Sequence, residues 1–293
     1  LNEVGYKEFL RLCTYFFMKS ESPITSQITI ASKKTPPYVR IAANYQPVVN
    51  KYIEYGHYPI PNVQRTLEKL KGYSYFIEFD GRNMFHQLVL DDETSEKLSV
   101  QTAWGCVKPR FVMEGVAPAT AVLQEKMDEM FGDLGEWCLP IFDNVIIGAH
   151  SYDDCVDKMV MFLERARHHN FYVKMEKCVF GVENTNFFGY NVSGSCYKMT
   201  DDRAEALRKV PFPTGAPATC QTAMRSLLGQ TRIFQPHVPD YARMTKHLDH
   251  MTTKDFNWDE KTWTVDYRTM FRNFIESLTD AMALFYPDYT LDW

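Results

Sequence analysis

The apolar positions of this chain fall into short runs of two periods, and together they predict a mixture of helices and strands. Residues 3–19 carry apolar side chains at helical spacing. Residues 28–30 and 38–43 read as two strands of a hairpin, with Lys33-Lys34-Thr35-Pro36-Pro37 as its tip; two successive prolines demand a loop there. Tyr58-Pro59-Ile60-Pro61 reads as extended, residues 63–70 as a short helix with Val63, Leu67 and Leu70 inward, and residues 73–79 as a strand ending at Asp80. A helix over 117–130, with Val122, Met127 and Met130 among its apolar positions, precedes a strand-turn-strand unit with Asp143-Asn144 at its tip. A long amphipathic helix follows over 152–170, with Val156, Met159, Val160, Leu163 and Ala166 as its stripe. Residues 171–173 and 186–190 read as further strands. The proline-rich stretch 211–217 reads as a linker, and 220–234 and 263–278 as helices beyond it. This order predicts an α+β sheet with helices on one face, followed by a separate helical part.

Two acidic residues stand out against that pattern. Asp143 is flanked by apolar runs, where burying an unpaired carboxylate is costly. Asp80 closes an apolar strand. Two acidic strand ends, far apart in sequence, can share divalent metal. Two carboxylates can hold two Mg²⁺ ions roughly 4 Å apart for phosphoryl transfer, with the Gly81 carbonyl as a further oxygen ligand and the rest supplied by phosphate and water. On spacing alone, two ordinary turn aspartates fit equally well.

Composition changes little in this picture. The chain has 293 residues, 45% hydrophobic and 24% charged, as in an ordinary globular protein with room for two or three subdomains. No apolar run reaches membrane-spanning length, and no amino-terminal signal pattern is visible, so no membrane partner is expected. The chain begins at Leu1 and not Met, which points to a segment of a longer protein. Seven cysteines without a CxxC pair read as reduced thiols, which fits an intracellular site. The net charge of −5 argues mildly against nucleic-acid binding, but Lys33-Lys34, Lys108 with Arg110, Lys174 with Lys177, and Arg203, Arg208 and Lys209 form local basic clusters.

The segment from Gly72 through Asp80-Gly81-Arg82-Asn83-Met84-Phe85-His86-Gln87 resembles the first catalytic motif of reverse transcriptases of the Ty3/gypsy retrotransposon type. Further matches follow in that family's order. Lys33-Lys34, Arg40 and Asn44-Tyr45-Gln46 resemble the fingers segment, Tyr58-Pro59-Ile60-Pro61 its Tyr-Pro-Leu-Pro, and Trp104-Gly105 its Pro-Trp-Gly. Ile141-Phe142-Asp143-Asn144 falls where Tyr-x-Asp-Asp is expected. Lys177-Cys178-Val179-Phe180 matches Lys-Cys-x-Phe, and Phe187-Phe188-Gly189-Tyr190 the primer-grip hairpin. Leu227-Leu228-Gly229 and Phe256-Asn257-Trp258 resemble the thumb and connection, and Phe285-Tyr286-Pro287-Asp288 the stretch before an RNase H domain. No single motif is specific; their number and order are.

The resemblance implies a right-hand polymerase fold with an antiparallel palm sheet backed by helices: fingers and palm over 1–195, linker and helical thumb over 196–262, and the start of a connection over 263–293. It implies template-directed addition of deoxynucleotides to a primer 3′-hydroxyl on RNA or DNA, with two Mg²⁺ or Mn²⁺ ions. Asp80, Asp143 and Asn144 would form the catalytic set, with Asp80, Gly81 and Asp143 as metal ligands. Lys33, Lys34 and Arg40 would contact the triphosphate, where the planar Arg fork suits phosphate oxygens. Phe85 would exclude a 2′-hydroxyl, Gly115 and Gln124 would line the nucleotide and template side, and Phe188 and Gly189 would hold the primer end. Lys174 would reach the metal or phosphate region, or else be a solvated lysine. An RNase H domain would follow in the parent polyprotein, in the cytoplasm or a virus-like particle. Host, natural primer and oligomeric state are open.

The departures leave an alternative standing. Asn144 replaces the second Asp of the doublet, and Asn44 and Gln46 replace the Asp and Arg of Asp-Tyr-Arg. Glu114 stands where the family has Phe, beside the incoming triphosphate, with Lys108 and Arg110 as the neighbours in sequence that could neutralise it. Asn144 keeps an oxygen ligand but loses a unit of charge. A lineage feature, decay and an engineered change all fit that residue. A degenerate or domesticated scaffold that binds nucleic acid or protein is the competing reading.

Overall fold

The computed structural model describes residues 2–54, 58–280 and 284–286. The chain divides into two compact units, Leu1–Thr66 with Phe76–Gly181, and Leu67–Tyr75 with Val182–Trp293. In chain order the elements are α1 (Asn2–Cys13), β1 (Phe17–Lys19), β2 (Ser26–Ser32), β3 (Val39–Asn44), α2 (Val63–Glu68), β4 (Tyr75–Asp80), α3 (Asp92–Lys97), β5 (Val100–Thr102), β6 (Gly105–Pro109), α4 (Ala119–Phe131), β7 (Cys138–Ile141), β8 (Asn144–Ala149), α5 (Tyr152–His168) and β9 (Val179–Val182). Then follow β10 (Thr185–Phe187), β11 (Tyr190–Val192), β12 (Cys196–Met199), α6 (Asp201–Arg208), α7 (Pro217–Thr231), α8 (Tyr241–His250), α9 (Tyr267–Thr279) and β13 (Leu284–Phe285).

The first unit holds two sheets. One has the order β1-β6-β5-β2-β3, with β2 and β3 forming the expected antiparallel hairpin, in the register Ile28↔Ala43 and Ala31↔Arg40. Its core gathers Phe9, Leu12, Phe16, Phe17, Ile41, Tyr45, Val100 and Met113. The helix expected over 3–19 stops at Cys13, and Phe17–Lys19 instead pairs with β6. Aromatic residues at 15–17 favour a pleated surface, and the open edge of β6 supplies the partner.

The second sheet has the order β7-β8-β4-β9. Phe76, Ile77 and Phe79 of β4 are at most 1% exposed, as expected for an interior strand. Phe79 stacks on Phe162 of α5 at 4.2 Å between ring centroids, and Phe162 stacks on Phe131 of α4 at 4.8 Å. These rings fasten both helices to the sheet. The stripe expected on α5 is offset by this stack. Cys155, Phe162 and Ala166 face inward, while Val156, Val160 and Leu163 are exposed. Likewise Leu123, Gln124, Met127 and Phe131 form the buried line of α4, and Val122 is exposed. Both helices carry apolar residues over more than one face, so periodicity did not single out the inner one. The strand expected at 171–173 is reduced to one bridge, Val173 with Gly81.

The second unit holds the sheet β10-β11-β12-β13 and the helices α6 to α9. Residues 186–190 are not one strand: Phe188 and Gly189 are the turn between β10 and β11, both with positive φ (48° and 81°), the signature of a tight two-residue hairpin. Tyr190 is fully buried and its hydroxyl donates to the Ile233 carbonyl at 2.7 Å. The proline-rich stretch is a coil that ends in Pro217 at the start of α7, where a missing N–H costs nothing. Phe212 within it packs against Trp263 and Phe271, so this linker is anchored. Residues 182–195, expected with the palm, cluster with the helical unit. Of the motif Phe285 to Asp288 and the expected connection, 281–283 and 287–293 lie outside the described residues, while the buried Tyr286 donates its hydroxyl to the Ser193 carbonyl at 2.9 Å.

Candidate active site

Asp80 emerges where β4 leaves the sheet, its side chain 20% exposed. The next residue, Gly81, donates its backbone N–H to the Asp143 carbonyl at 2.7 Å. The two carboxylates are therefore brought to one end of one sheet from positions far apart in the chain. No other residue fits at Gly81: an added Cβ would sit 2.2 Å from the Met84 sulfur and 2.8 Å from the Asp143 oxygen. Two further backbone bonds hold the same corner, from Lys174 N to the Asp80 carbonyl (2.7 Å) and from Arg82 N to the Tyr172 carbonyl (2.8 Å). Gln87 clips it from outside. Its amide donates to the carbonyls of Arg82 (2.6 Å) and Tyr172 (3.0 Å) and accepts from Tyr172 N (2.9 Å).

Ile141 and Asn144 pair across the hairpin, so the turn is Phe142-Asp143, and Asn144 opens β8. Phe142 sits at φ 53°, a left-handed conformation that a bulky residue adopts only under constraint. The turn lifts Asp143 into solvent: the carboxylate is exposed, not buried as the flanking apolar runs suggested. Asn144 Nδ2 lies 3.3 Å from Asp143 Oδ1, in position to donate to it. Lys177, on the turn before β9, donates from Nζ to Asp80 Oδ2 at 2.9 Å. The sequence placed Lys177 in a motif match and, with Lys174, in a local basic cluster. Its charge on Asp80 appears once the chain folds back beside β4.

Gln124 supports the strained turn. It is fully buried; its Oε1 accepts from Phe142 N (2.8 Å), and its Nε2 donates to the Pro140 carbonyl (3.1 Å) and to Asp128 Oδ1 (2.9 Å). The other Asp128 oxygen accepts from the Tyr58 hydroxyl at 2.6 Å, which pushes that phenol up to about 12. Gln124 was expected to line the nucleotide and template side. Instead it lies beneath the Phe142-Asp143 turn with its amide engaged on both atoms. Tyr58, noticed only as part of an extended motif, closes the same network.

The remaining expected residues form other groups. Arg40 on β3 meets Glu114, Nε to Oε2 3.3 Å. Lys108, one of the expected neutralisers of Glu114, pairs with Glu96 at 2.8 Å. Gly115 has φ 106°, and a Cβ there would lie 2.3 Å from the Ala43 carbonyl. Asn50 was missed from sequence. Its side chain donates to the Gly115 carbonyl (2.9 Å) and accepts from Ala117 N (3.1 Å), clamping the loop that carries Glu114. An open cavity of about 550 Å³ beside this loop is lined by Asn44, Tyr45, Gln46, Asn50, Lys51 and Gly115. Lys33 and Lys34 are exposed on the β2–β3 tip. Phe85 is half-buried on the single turn Met84–Gln87. The neighbouring His86 packs tilted against Phe16 at 4.4 Å between ring centroids, and burial pushes its pKa down to about 4. Lys174 points its amine towards Glu176 (3.9 Å) and reaches Asp80 through its backbone alone. Phe188 and Gly189 form the hairpin tip of the second unit.

The reverse transcriptase (RNA-dependent DNA polymerase) family model matches residues 32–192, more than half of the chain. This chain belongs to that family. Among curated relatives, the retrovirus-related Pol polyprotein from transposon opus of Drosophila melanogaster is 26% identical over 80% of this chain and 23% of its own length. The transposon Tf2-7 polyprotein of Schizosaccharomyces pombe is 21% identical over 86% of this chain and 18% of its own length. The chain thus spans about a quarter or less of these relatives. The Ty3/gypsy-type resemblance agrees with them. The foamy viral protease-reverse transcriptase, solved in complex with an RNA/DNA hybrid, superposes with a TM-score of 0.81 at 12% identity, over 94% of this chain and 37% of that one. In complex with dsDNA the TM-score is 0.82 at 14% identity, over 98% and 59%. The fold is therefore the reverse transcriptase polymerase fold. Reverse transcriptases use divalent metal ions. Among the described residues no cluster of three or more His, Cys, Asp or Glu side chains could hold a metal ion. No described helix is long and apolar enough to cross a membrane.

Gln124→Leu leaves the Phe142 N–H and the Pro140 carbonyl without their partner. The expected cost is about 1–3 kcal/mol of stability, together with faster amide hydrogen exchange at Phe142. Unchanged exchange there would remove Gln124 from this supporting role.

Proposed function

We propose that this chain is the polymerase portion of a retrotransposon Pol protein, adding deoxynucleotides to a primer 3′-hydroxyl on an RNA or DNA template. The observation that carries this reading is the Gly81–Asp143 backbone bond, which joins two acidic strand ends at one end of a sheet. The donors are hard oxygens, partly open to solvent, as two Mg²⁺ or Mn²⁺ ions require. Asp80, Asp143 and the Gly81 carbonyl would hold the metal, which when bound lowers the pKa of the primer hydroxyl and neutralises charge on the leaving pyrophosphate. The protein's own part is positioning. Asn144 orients the Asp143 carboxylate through its amide, and Lys177 keeps a positive charge on Asp80. Arg40, Lys33 and Lys34 receive the triphosphate, with Lys174 close to Asp80 through the backbone. Phe85 selects against a 2′-hydroxyl, and Phe188 and Gly189 hold the primer end. Fingers and palm are assigned to 1–195, thumb to 196–262 and connection to 263–293, with an RNase H domain following in the polyprotein. The site of action is the cytoplasm or a virus-like particle, in keeping with the retrovirus-related names of the relatives.

A non-catalytic scaffold is the second reading, favoured by Asn144, Asn44, Gln46 and Glu114. Primer extension on poly(rA), with Mg²⁺ and with Mn²⁺, separates the two. Extension by the wild-type chain, reduced to background in Asp80→Ala, is the expected result; no extension with either metal favours the scaffold. Asn144→Asp restores a carboxylate and is expected to lower the Mg²⁺ concentration for half-maximal extension. An unchanged metal requirement would count against the charge argument. Phe85→Ala is expected to weaken discrimination against ribonucleotides by roughly ten- to a hundredfold, and unaltered sugar selection would take Phe85 out of that role.

A further inference from the structure

We infer that Glu114 is a resident counter-ion for Arg40, which the triphosphate of the incoming nucleotide displaces and which recaptures Arg40 when pyrophosphate leaves. The inference rests on the proposed role of Arg40 in triphosphate binding. Glu114 Oε2 lies 3.3 Å from Arg40 Nε, with the two side chains 31% and 59% exposed. The pair is therefore reachable by a solvated ligand. It is also built, and not an accident of two long side chains. Ala43 N donates to the Glu114 carbonyl at 3.3 Å, which ties the loop to the strand that carries Arg40. Gly115 lies so close to the Ala43 carbonyl that only glycine fits, and Asn50 clamps the following residues through both of its amide atoms. The Glu114 backbone is thereby held from its own carbonyl onward, and its carboxylate lies against the guanidinium.

The chemistry follows from charge. A guanidinium facing a carboxylate presents the same planar fork that a phosphate takes up. A triphosphate that binds Arg40 must replace Glu114 and then leave that carboxylate beside a polyanion. Both effects weaken nucleotide binding, and both equally weaken retention of the pyrophosphate product. An exposed ion pair contributes little, so the exchange is easily reversible. Glu114 thus sets affinity and exchange at the triphosphate subsite.

The test measures equilibrium binding of Mg²⁺-dTTP and of inorganic pyrophosphate, alongside KM for dTTP on poly(rA) with an oligo(dT) primer. The proteins are the wild-type chain, Glu114→Gln, Arg40→Gln and the double variant. Glu114→Gln keeps the shape and the loop bonds and removes the charge. It is expected to tighten dTTP and pyrophosphate binding and to lower KM, each by roughly three- to tenfold. In the Arg40→Gln background the same change is expected to have much less effect, because its partner is gone. Unchanged or weaker binding in Glu114→Gln, while the wild-type chain extends primers normally, would overturn the inference and leave the polymerase reading intact. Equal tightening with and without Arg40 would also overturn it, since Glu114 would then act by general repulsion and not through this pair. A wild-type chain that binds no triphosphate would overturn both.

Discussion

The arrangement at the corner that joins Asp80 to Asp143 depends on one backbone hydrogen bond, from Gly81 N–H to the Asp143 carbonyl. It requires a residue with no side chain at 81, because Met84 and the Asp143 oxygen occupy the space where a Cβ would be. It requires a tight turn at 142–143, and the strain of that turn at Phe142 is held by Gln124 from below. It also requires β4 and β8 to be neighbours, which the stack of Phe79, Phe162 and Phe131 secures by fastening α4 and α5 to the sheet. Bulky apolar contact sets the scaffold. Short backbone bonds then set the position of each carboxylate, with less freedom than side-chain contacts alone would allow.

Charge is distributed differently here from the pattern the motifs imply. Asn144 contributes an amide where a carboxylate is expected, and that amide can donate to Asp143, where a second aspartate would repel it. Lys177 sits directly on Asp80. Glu114 brings a carboxylate to Arg40, where the resemblance implies an aromatic ring. Asp80, Asp143 and Arg40 thus each have a nearby partner within the chain itself. Two of the departures, Asn144 and Glu114, are matched by a neighbour in space.

The hairpin of β2 and β3, the strand ending at Asp80 and the turn near Asp143 were legible in the sequence, because alternation, proline pairs and turn residues act locally. The inner faces of α4 and α5 were not. Val156, Val160 and Leu163 form as good a stripe as Cys155, Phe162 and Ala166, and only the ring stacking of Phe162 chose between them. The strand at Phe17 was hidden by the helical spacing before it, since its partner β6 lies ninety residues on. Asn50, the contacts of Tyr58 and Gln87, and the place of Gln124 were not legible for a common reason. Each residue acts through hydrogen bonds to groups distant in sequence, backbone for Asn50, Gln87 and Gln124 and a carboxylate for Tyr58, and no local pattern marks such a bond.

The sequence by itself determined the family, the sheet class and the two aspartates proposed as metal ligands, through the order of short motifs. Tertiary structure decided which residues support them and which charges they face. It placed Lys177 on Asp80, Glu114 on Arg40 and Gln124 under Asp143. The physical reason is range. Propensity and periodicity act over a few residues, whereas an ion pair or a buried amide is defined by where two remote segments meet.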